Sequence, residues 1–202
     1  LHPLMCKTRK VPDILRYIHT LRYLKPKQII GQIKKPLVLR KTPYIPPFNG
    51  NPNTAMCLAI DSLDRDEGYL QRFSVDALLH GEITLLNESH SVDWSTWHAA
   101  DASSLWLFNL NYFEYAVALA ARYRNNGQYA LYEKFKEYVT LWITANPVGK
   151  GEAWHPYTIS MRIPNWLICF DLFGKSFSDD TAFCKVAYES VYAQYKALTG
   201  RV

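Results

Sequence analysis

Three runs of large apolar and aromatic residues recur at helical spacing, and they limit the fold more than any other feature of the chain. Leu105, Phe108, Tyr112, Tyr115 and Leu119 form the first. Leu131, Phe135, Tyr138 and Trp142 form the second, and Cys184, Tyr188, Val191, Tyr195 and Leu198 the third. Steps of three and four residues lay a stripe along one side of an α-helix, and such a stripe is buried against another element. Core packing of helix on helix is therefore the first reading of each run, ahead of ligand binding. Residues 146–151, Asn-Pro-Val-Gly-Lys-Gly, end the second run. Proline lacks the N–H a helix needs, and glycine accepts left-handed backbone. Helices recurring every 30–40 residues or so predict a mainly all-α fold, either an α-solenoid or an incomplete α/α toroid of antiparallel helix pairs.

The chain before these runs is organised differently. Ile14, Ile18 and Leu21 mark a helix over residues 12–24, with Asp13 in its first turn, where the helix dipole favours an acid. Residues 41–54 hold four prolines and read as an extended connector. A short β-hairpin is expected near residues 72–89, where Gly81 separates two apolar runs. Asn87, Glu88 and Ser89 in that region match a glycosylation sequon. The expected division is a basic N-terminal helical arm, residues 1–41, and a partial toroid, residues 42–202.

Charge follows the same division. Residues 1–41 hold eleven Lys and Arg against Asp13 alone, whereas residues 42–202 hold twelve against seventeen acids. A basic arm before a mildly acidic body suits an anionic partner, or is simply a solvated helix face. The four cysteines, Cys6, Cys57, Cys169 and Cys184, form no C-x-x-C pair, so zinc-ribbon and thioredoxin readings fail. Cys169 and Cys184 fall in apolar helical runs and are expected as buried thiols. No H-E-x-x-H motif occurs, and no metal or cofactor is implied. No apolar run approaches 18 residues, so no transmembrane segment is expected. The first residues lack the apolar core of a signal peptide, and the first residue is Leu, so an upstream portion is expected.

Residues 153–166, Ala-Trp-His-Pro-Tyr-Thr-Ile-Ser-Met-Arg-Ile-Pro-Asn-Trp, crowd polar and aromatic groups at the mouth of a helix. Pro156 suits the first helical turn, where its missing N–H costs nothing. Ile159, Ile163, Trp166 and Phe170 then form an apolar stripe. Pro164 leaves two versions open: a helix from Pro156 that kinks, or a shaped loop followed by a helix from Pro164. Trp154, His155, Tyr157, Arg162 and Asn165 are the candidate substrate-binding residues in either version. Trp and Tyr rings offer stacking faces, and Arg offers a fork for a carboxylate. Against this, Trp154 and Trp166 also suit packing, Arg162 a carboxylate at the core edge, and Asn165 a neighbouring helix end.

Four segments in order, residues 21–33, 93–115, 146–166 and 191–200, carry a resemblance. Together they look like the N-terminal helical region of heparinase II/III-like polysaccharide lyases. The likeness spans nearly the whole chain, is strongest over 146–166 and least specific in the basic first helix. It implies an incomplete α/α toroid followed by a β-sandwich, and cleavage of uronate-containing polysaccharides by β-elimination. That chemistry neutralises the uronate carboxylate and supplies a base and an acid. The resemblance implies an Asn, often with His, at the carboxylate, and Tyr and His for proton transfer. This chain has no Asn-His dipeptide, and it has Asn111 where the family often has His. The expectation is thus the first half of a lyase toroid, truncated before most of its chemistry and inactive alone, with catalytic residues unassigned. Trp154 and Tyr157 would stack on sugars, Arg162 would meet a carboxylate or sulfate, and Asn165 would hydrogen-bond.

The partners so implied are an acidic polysaccharide and the missing C-terminal toroid helices and β-sandwich. The implied location is periplasmic or secreted. The alternative is a non-catalytic helical scaffold or binding module whose basic arm contacts nucleic acid or membrane. Nucleic acid is the weaker partner, because the densest aromatics lie outside the basic arm.

Overall fold

The structure, a computed structural model, describes residues 71–200 together with residue 68. The basic arm of residues 1–41, its helix and the proline-rich connector lie outside the described residues. Of the described residues 67% are helical, with one short two-stranded antiparallel sheet, so the fold is mainly α.

Ser74 starts helix α1, Val75–Leu79, by accepting a hydrogen bond at its Oγ from the Ala77 N–H. Strands β1, Thr84–Leu85, and β2, Glu88–Ser89, then pair antiparallel. The expected hairpin is present, but its tip is Leu86–Asn87 rather than Gly81. Both tip residues have positive φ, 55° and 63°, as primed two-residue turns require. The first apolar run is helix α1 instead of a strand, because its Ser74 cap and three-residue steps favour that. The sequon residue Asn87 is exposed at the tip.

The first stripe, read as one helix, is two. Helix α2, Ser104–Leu110, stops at Asn111, and α3, Glu114–Asn126, restarts after Phe113. No proline or glycine marks this break. It rests on a left-handed Phe113, φ 60° and ψ 24°, whose ring is fully buried. Gly127, itself left-handed, ends α3, and α4, Tyr129–Ala145, folds back against it. Leu131, Phe135, Tyr138 and Trp142 of α4 are all buried, as their spacing predicted.

A single 3-10 turn, Glu152–Trp154, leads into α5, Pro156–Phe173. The helix therefore begins at Pro156 and runs through Pro164, the first of the two versions. Pro164 is exposed, so the lost hydrogen bond falls on the solvent side. Gly174 separates α5 from the short α6, Lys175–Asp179, and Asp180 caps α7, Thr181–Thr199, through the Phe183 N–H. Helix α5 packs against α3 on one side and α7 on another. Cys169 and Cys184 are buried free thiols, as expected. Tyr195, expected in a buried stripe, is 54% exposed, because the inner face of α7 is instead set by Cys184, Ala187, Gln194 and Ala197.

The core is an aromatic stack. Phe113 lies parallel to Trp97 with centroids 5.3 Å apart and meets Trp166 edge-on at 5.3 Å. Trp142 meets Trp166 edge-on at 5.4 Å. Ring heteroatoms then tie this core to the irregular segments. Tyr138 donates to the Leu78 carbonyl at 2.7 Å, and Trp106 Nε1 to the Glu88 carbonyl at 3.0 Å.

Candidate functional site

The stretch that crowds polar and aromatic groups is divided by helix geometry into an inner and an outer half. Trp154 closes the 3-10 turn and points inward. It is 2% exposed, its Nε1 donates to the Asn146 carbonyl at 3.0 Å, and its ring lies against Trp142. Burying so large an apolar face favours this placement. Its expected role as a sugar platform does not match this position.

Arg162 differs most from its expected setting. It is fully buried, and each of its three nitrogens donates one hydrogen bond. Nε reaches Gln194 Oε1 at 2.9 Å, Nη1 the Asn111 carbonyl at 3.0 Å, and Nη2 the Ala153 carbonyl at 2.9 Å. Its guanidinium carbon sits 3.9 Å from the centre of the Trp142 ring. Among the described residues no carboxylate forms an ion pair with it, so neither a core-edge acid nor a solvent-borne carboxylate meets it directly. Burial pushes its ionisation well below the ordinary arginine value, opposed by Tyr115.

Asn165 stands one turn further along α5. Its Nδ2 donates to the Tyr112 carbonyl at 2.9 Å. Two consecutive carbonyls, of Asn111 and Tyr112, are thus held from α5 by Arg162 and Asn165. These contacts over-determine the Phe113 corner, whose left-handed backbone costs roughly 1–3 kcal/mol for a residue other than glycine. Asn111 adds a further brace by accepting from Trp142 Nε1 at 2.8 Å.

The outer half is exposed. His155 is the N-cap of α5, and its Nδ1 accepts from the Tyr157 N–H at 3.3 Å. An accepting Nδ1 puts the proton of the neutral ring on Nε2. The ring meets Phe108 edge-on at 5.6 Å. Tyr157 is 57% exposed and meets the half-buried Tyr112 edge-on at 5.8 Å. Burial, and then the neighbouring Tyr157, raise the Tyr112 phenol above its ordinary pKa, so it stays a donor near neutral pH.

Phe108, Tyr112, His155, Tyr157 and Asn165 therefore form a shelf of rings and amide at the junction of α2 and α5. Such a shelf can stack on a flat apolar face and hydrogen-bond its rim. It contains no carboxylate, thiol or nucleophile–base pair. Of the five residues expected from sequence, His155, Tyr157 and Asn165 belong to it, while Trp154 and Arg162 lie beneath. Phe108 and Tyr112 were missed because their spacing assigns them to a core stripe. Within α2 the buried face is instead that of Trp106 and Leu110, and Tyr112 lies in the unmarked break itself.

Away from the shelf, a concavity of about 420 Å³ is lined by His90, Asp93, His98 and Asp101 among others. Asp93 spends its carboxylate locally, on the Ser95 N–H at 3.0 Å and the Ser95 hydroxyl at 2.6 Å. Those bonds hold its pKa below the usual carboxylate value. Among the described residues no three His, Cys, Asp or Glu are placed to hold a metal. None of the described helices is long and apolar enough to cross a membrane.

No family model, curated protein or solved structure matches the chain.

Proposed function

We propose that this chain is the helical, ligand-holding part of a polysaccharide lyase-like protein, and that its shelf binds uronate-containing glycans. The observation carrying the reading is the shelf itself. Exposed Tyr157 and His155, half-buried Tyr112 and Phe108, and Asn165 are brought from two distant segments to one surface. Sugar rings present apolar C–H faces flanked by hydroxyls, the combination that exposed aromatic rings with polar tips accommodate. The substrate class is taken from the resemblance of the four ordered segments to the lyase family. Within this reading the chain binds and orients, and the base and acid of β-elimination come from elsewhere in the full enzyme.

Calorimetry with a panel of acidic oligosaccharides tests the binding, and absorbance near 232 nm, where an unsaturated uronate absorbs, tests the chemistry. Binding without a rise in absorbance is the expected result. A rise would place catalytic groups within this chain and overturn the division of labour. Absence of binding to every acidic glycan would overturn the reading.

A further inference from the structure

Arg162 is a cation buried inside a body that is otherwise negative. Residues 42–202 carry twelve Lys and Arg against seventeen acids, and none of the five shelf residues bears a permanent charge. A preference of this shelf for anions over neutral ligands needs a local positive source. Among the described residues, the Arg162 guanidinium is one such source. It bonds to the carbonyl of Asn111, the residue before Tyr112, and to that of Ala153, two residues before His155. It is therefore tied to the backbone that leads into two of the shelf residues. Its partners are carbonyl oxygens, an amide and the Trp142 face, which redistribute the field but leave the unit charge in place. Arginine keeps its proton in proteins even when buried.

We infer that Arg162 acts through space as the specificity determinant of the shelf, selecting anionic over neutral glycans without touching them. This rests on the binding reading above. The surrounding low-dielectric core screens the charge less than water would. A unit charge felt at ~10 Å through an effective dielectric of 20–40 changes affinity by about three- to tenfold after partial screening.

The discriminating variant is Gln194→Glu. Gln194 is fully buried and accepts from Arg162 Nε at 2.9 Å. A carboxylate of the same shape would pair with the guanidinium and cancel its charge, while the clamps on Asn111 and Ala153 stay. The affinities of the full chain for an oligouronate and for a neutral oligoglucan of equal length are measured by calorimetry. The same is done for Gln194→Glu and for Arg162→Lys, with thermal melts as the check on folding. The wild type should prefer the oligouronate. Gln194→Glu should lose that preference by about three- to tenfold with neutral-glycan affinity unchanged. Arg162→Lys, measured at a pH low enough to keep its buried ammonium protonated, should retain the preference even if both affinities fall. Unchanged preference in a folded Gln194→Glu overturns the inference and leaves the binding reading standing. Equal weakening of both ligands does the same, reducing Arg162 to a purely structural clamp. A wild type that binds neither ligand overturns the binding reading and this inference with it.

Discussion

The inner and outer halves of residues 153–166 both mix polar and aromatic groups, and they have opposite fates. Trp154, Thr158 and Arg162 are at most 2% exposed, whereas Tyr157 is 57% exposed and His155 is open to solvent. Adjacent positions on a helix are rotated by about 100°, so Trp154 and His155, or Tyr157 and Thr158, face different surroundings. Residue type alone does not decide which side is the site. An Arg among aromatics reads as a ligand fork, yet here it is a brace for two backbone carbonyls. The inner half should govern stability and, through the Arg162 charge, the choice between ligands, while the outer half makes the contacts that give affinity; each substitution strains that division.

Arg162→Ala should be the most damaging. It strips the Asn111 and Ala153 carbonyls and Gln194 of their donor and opens a void against Trp142. Loss of about 3–5 kcal/mol is expected, read from urea unfolding. A loss below about 1 kcal/mol would mean that the corner at Phe113 holds itself. Trp154→Ala should follow at about 3 kcal/mol, since a buried ring and its bond to the Asn146 carbonyl disappear together. If instead Trp154→Ala lost glycan binding while its unfolding midpoint stayed put, the boundary between halves would be drawn in the wrong place.

A second charged junction sharpens the contrast, because it is paired in the ordinary way. Asp180 accepts from Lys136 Nζ at 2.6 Å, from the Tyr132 hydroxyl at 3.2 Å and from the Phe183 N–H at 3.1 Å. Burial works to raise its pKa, but Lys136, the Phe183 N–H and Tyr132 outweigh it and hold the pKa below the usual value. A depressed carboxylate contributes stability that is fully present above its unfolded pKa and is lost as pH falls through its folded pKa. Asp180→Asn should therefore cost about 1 kcal/mol near neutral pH and flatten the acid limb of the stability curve. An acid limb unchanged by the substitution would show that Asp180 is not the group titrating there.

Much of this architecture was legible because periodicity reports burial. The α4 stripe of Leu131, Phe135, Tyr138 and Trp142 was read from spacing alone, whereas the start of α5 at Pro156 was one of two versions that Pro164 left open. The break between α2 and α3 was not, since Phe113 adopts a left-handed backbone that no local rule assigns to phenylalanine. It is imposed from α5, more than fifty positions away, through Arg162 and Asn165. Within α2 the buried face is that of Trp106 and Leu110, which leaves Phe108 half-buried, and Tyr112 lies in the break itself, so the exposure of both was hidden. His155 and Tyr157 were legible as polar aromatic groups at a helix mouth. Arg162 was legible as important but not as buried, because its partners are backbone carbonyls and Gln194, which carry no sequence pattern.

Thr158 gives a smaller test with the opposite sign. It is fully buried, and its hydroxyl has no hydrogen-bond partner among the described residues. Valine has the same shape without the polar atom, so Thr158→Val removes an uncompensated desolvation cost. A gain of up to about 1 kcal/mol in unfolding free energy is expected, with shelf affinity unchanged. Destabilisation instead would imply that the hydroxyl is satisfied in solution, and the inner half would be wetter than its burial suggests.

Tyr157→Ala should have the least effect on stability and the clearest effect on binding. The ring is mostly exposed and its one aromatic neighbour among the described residues is Tyr112, so its removal should change stability by less than about 0.5 kcal/mol. Its backbone N–H still donates to His155 Nδ1, so the start of α5 keeps its cap. What disappears is one wall of the shelf. An exposed aromatic contact is worth about 0.5–1.5 kcal/mol beyond area, so glycan affinity should fall by about three- to tenfold. Conservative replacement by Phe should restore most of this if the ring face matters, and little if the hydroxyl does. A Tyr157→Ala variant with full affinity would move the binding surface away from α5 and leave the outer half of the stretch as ordinary solvated surface.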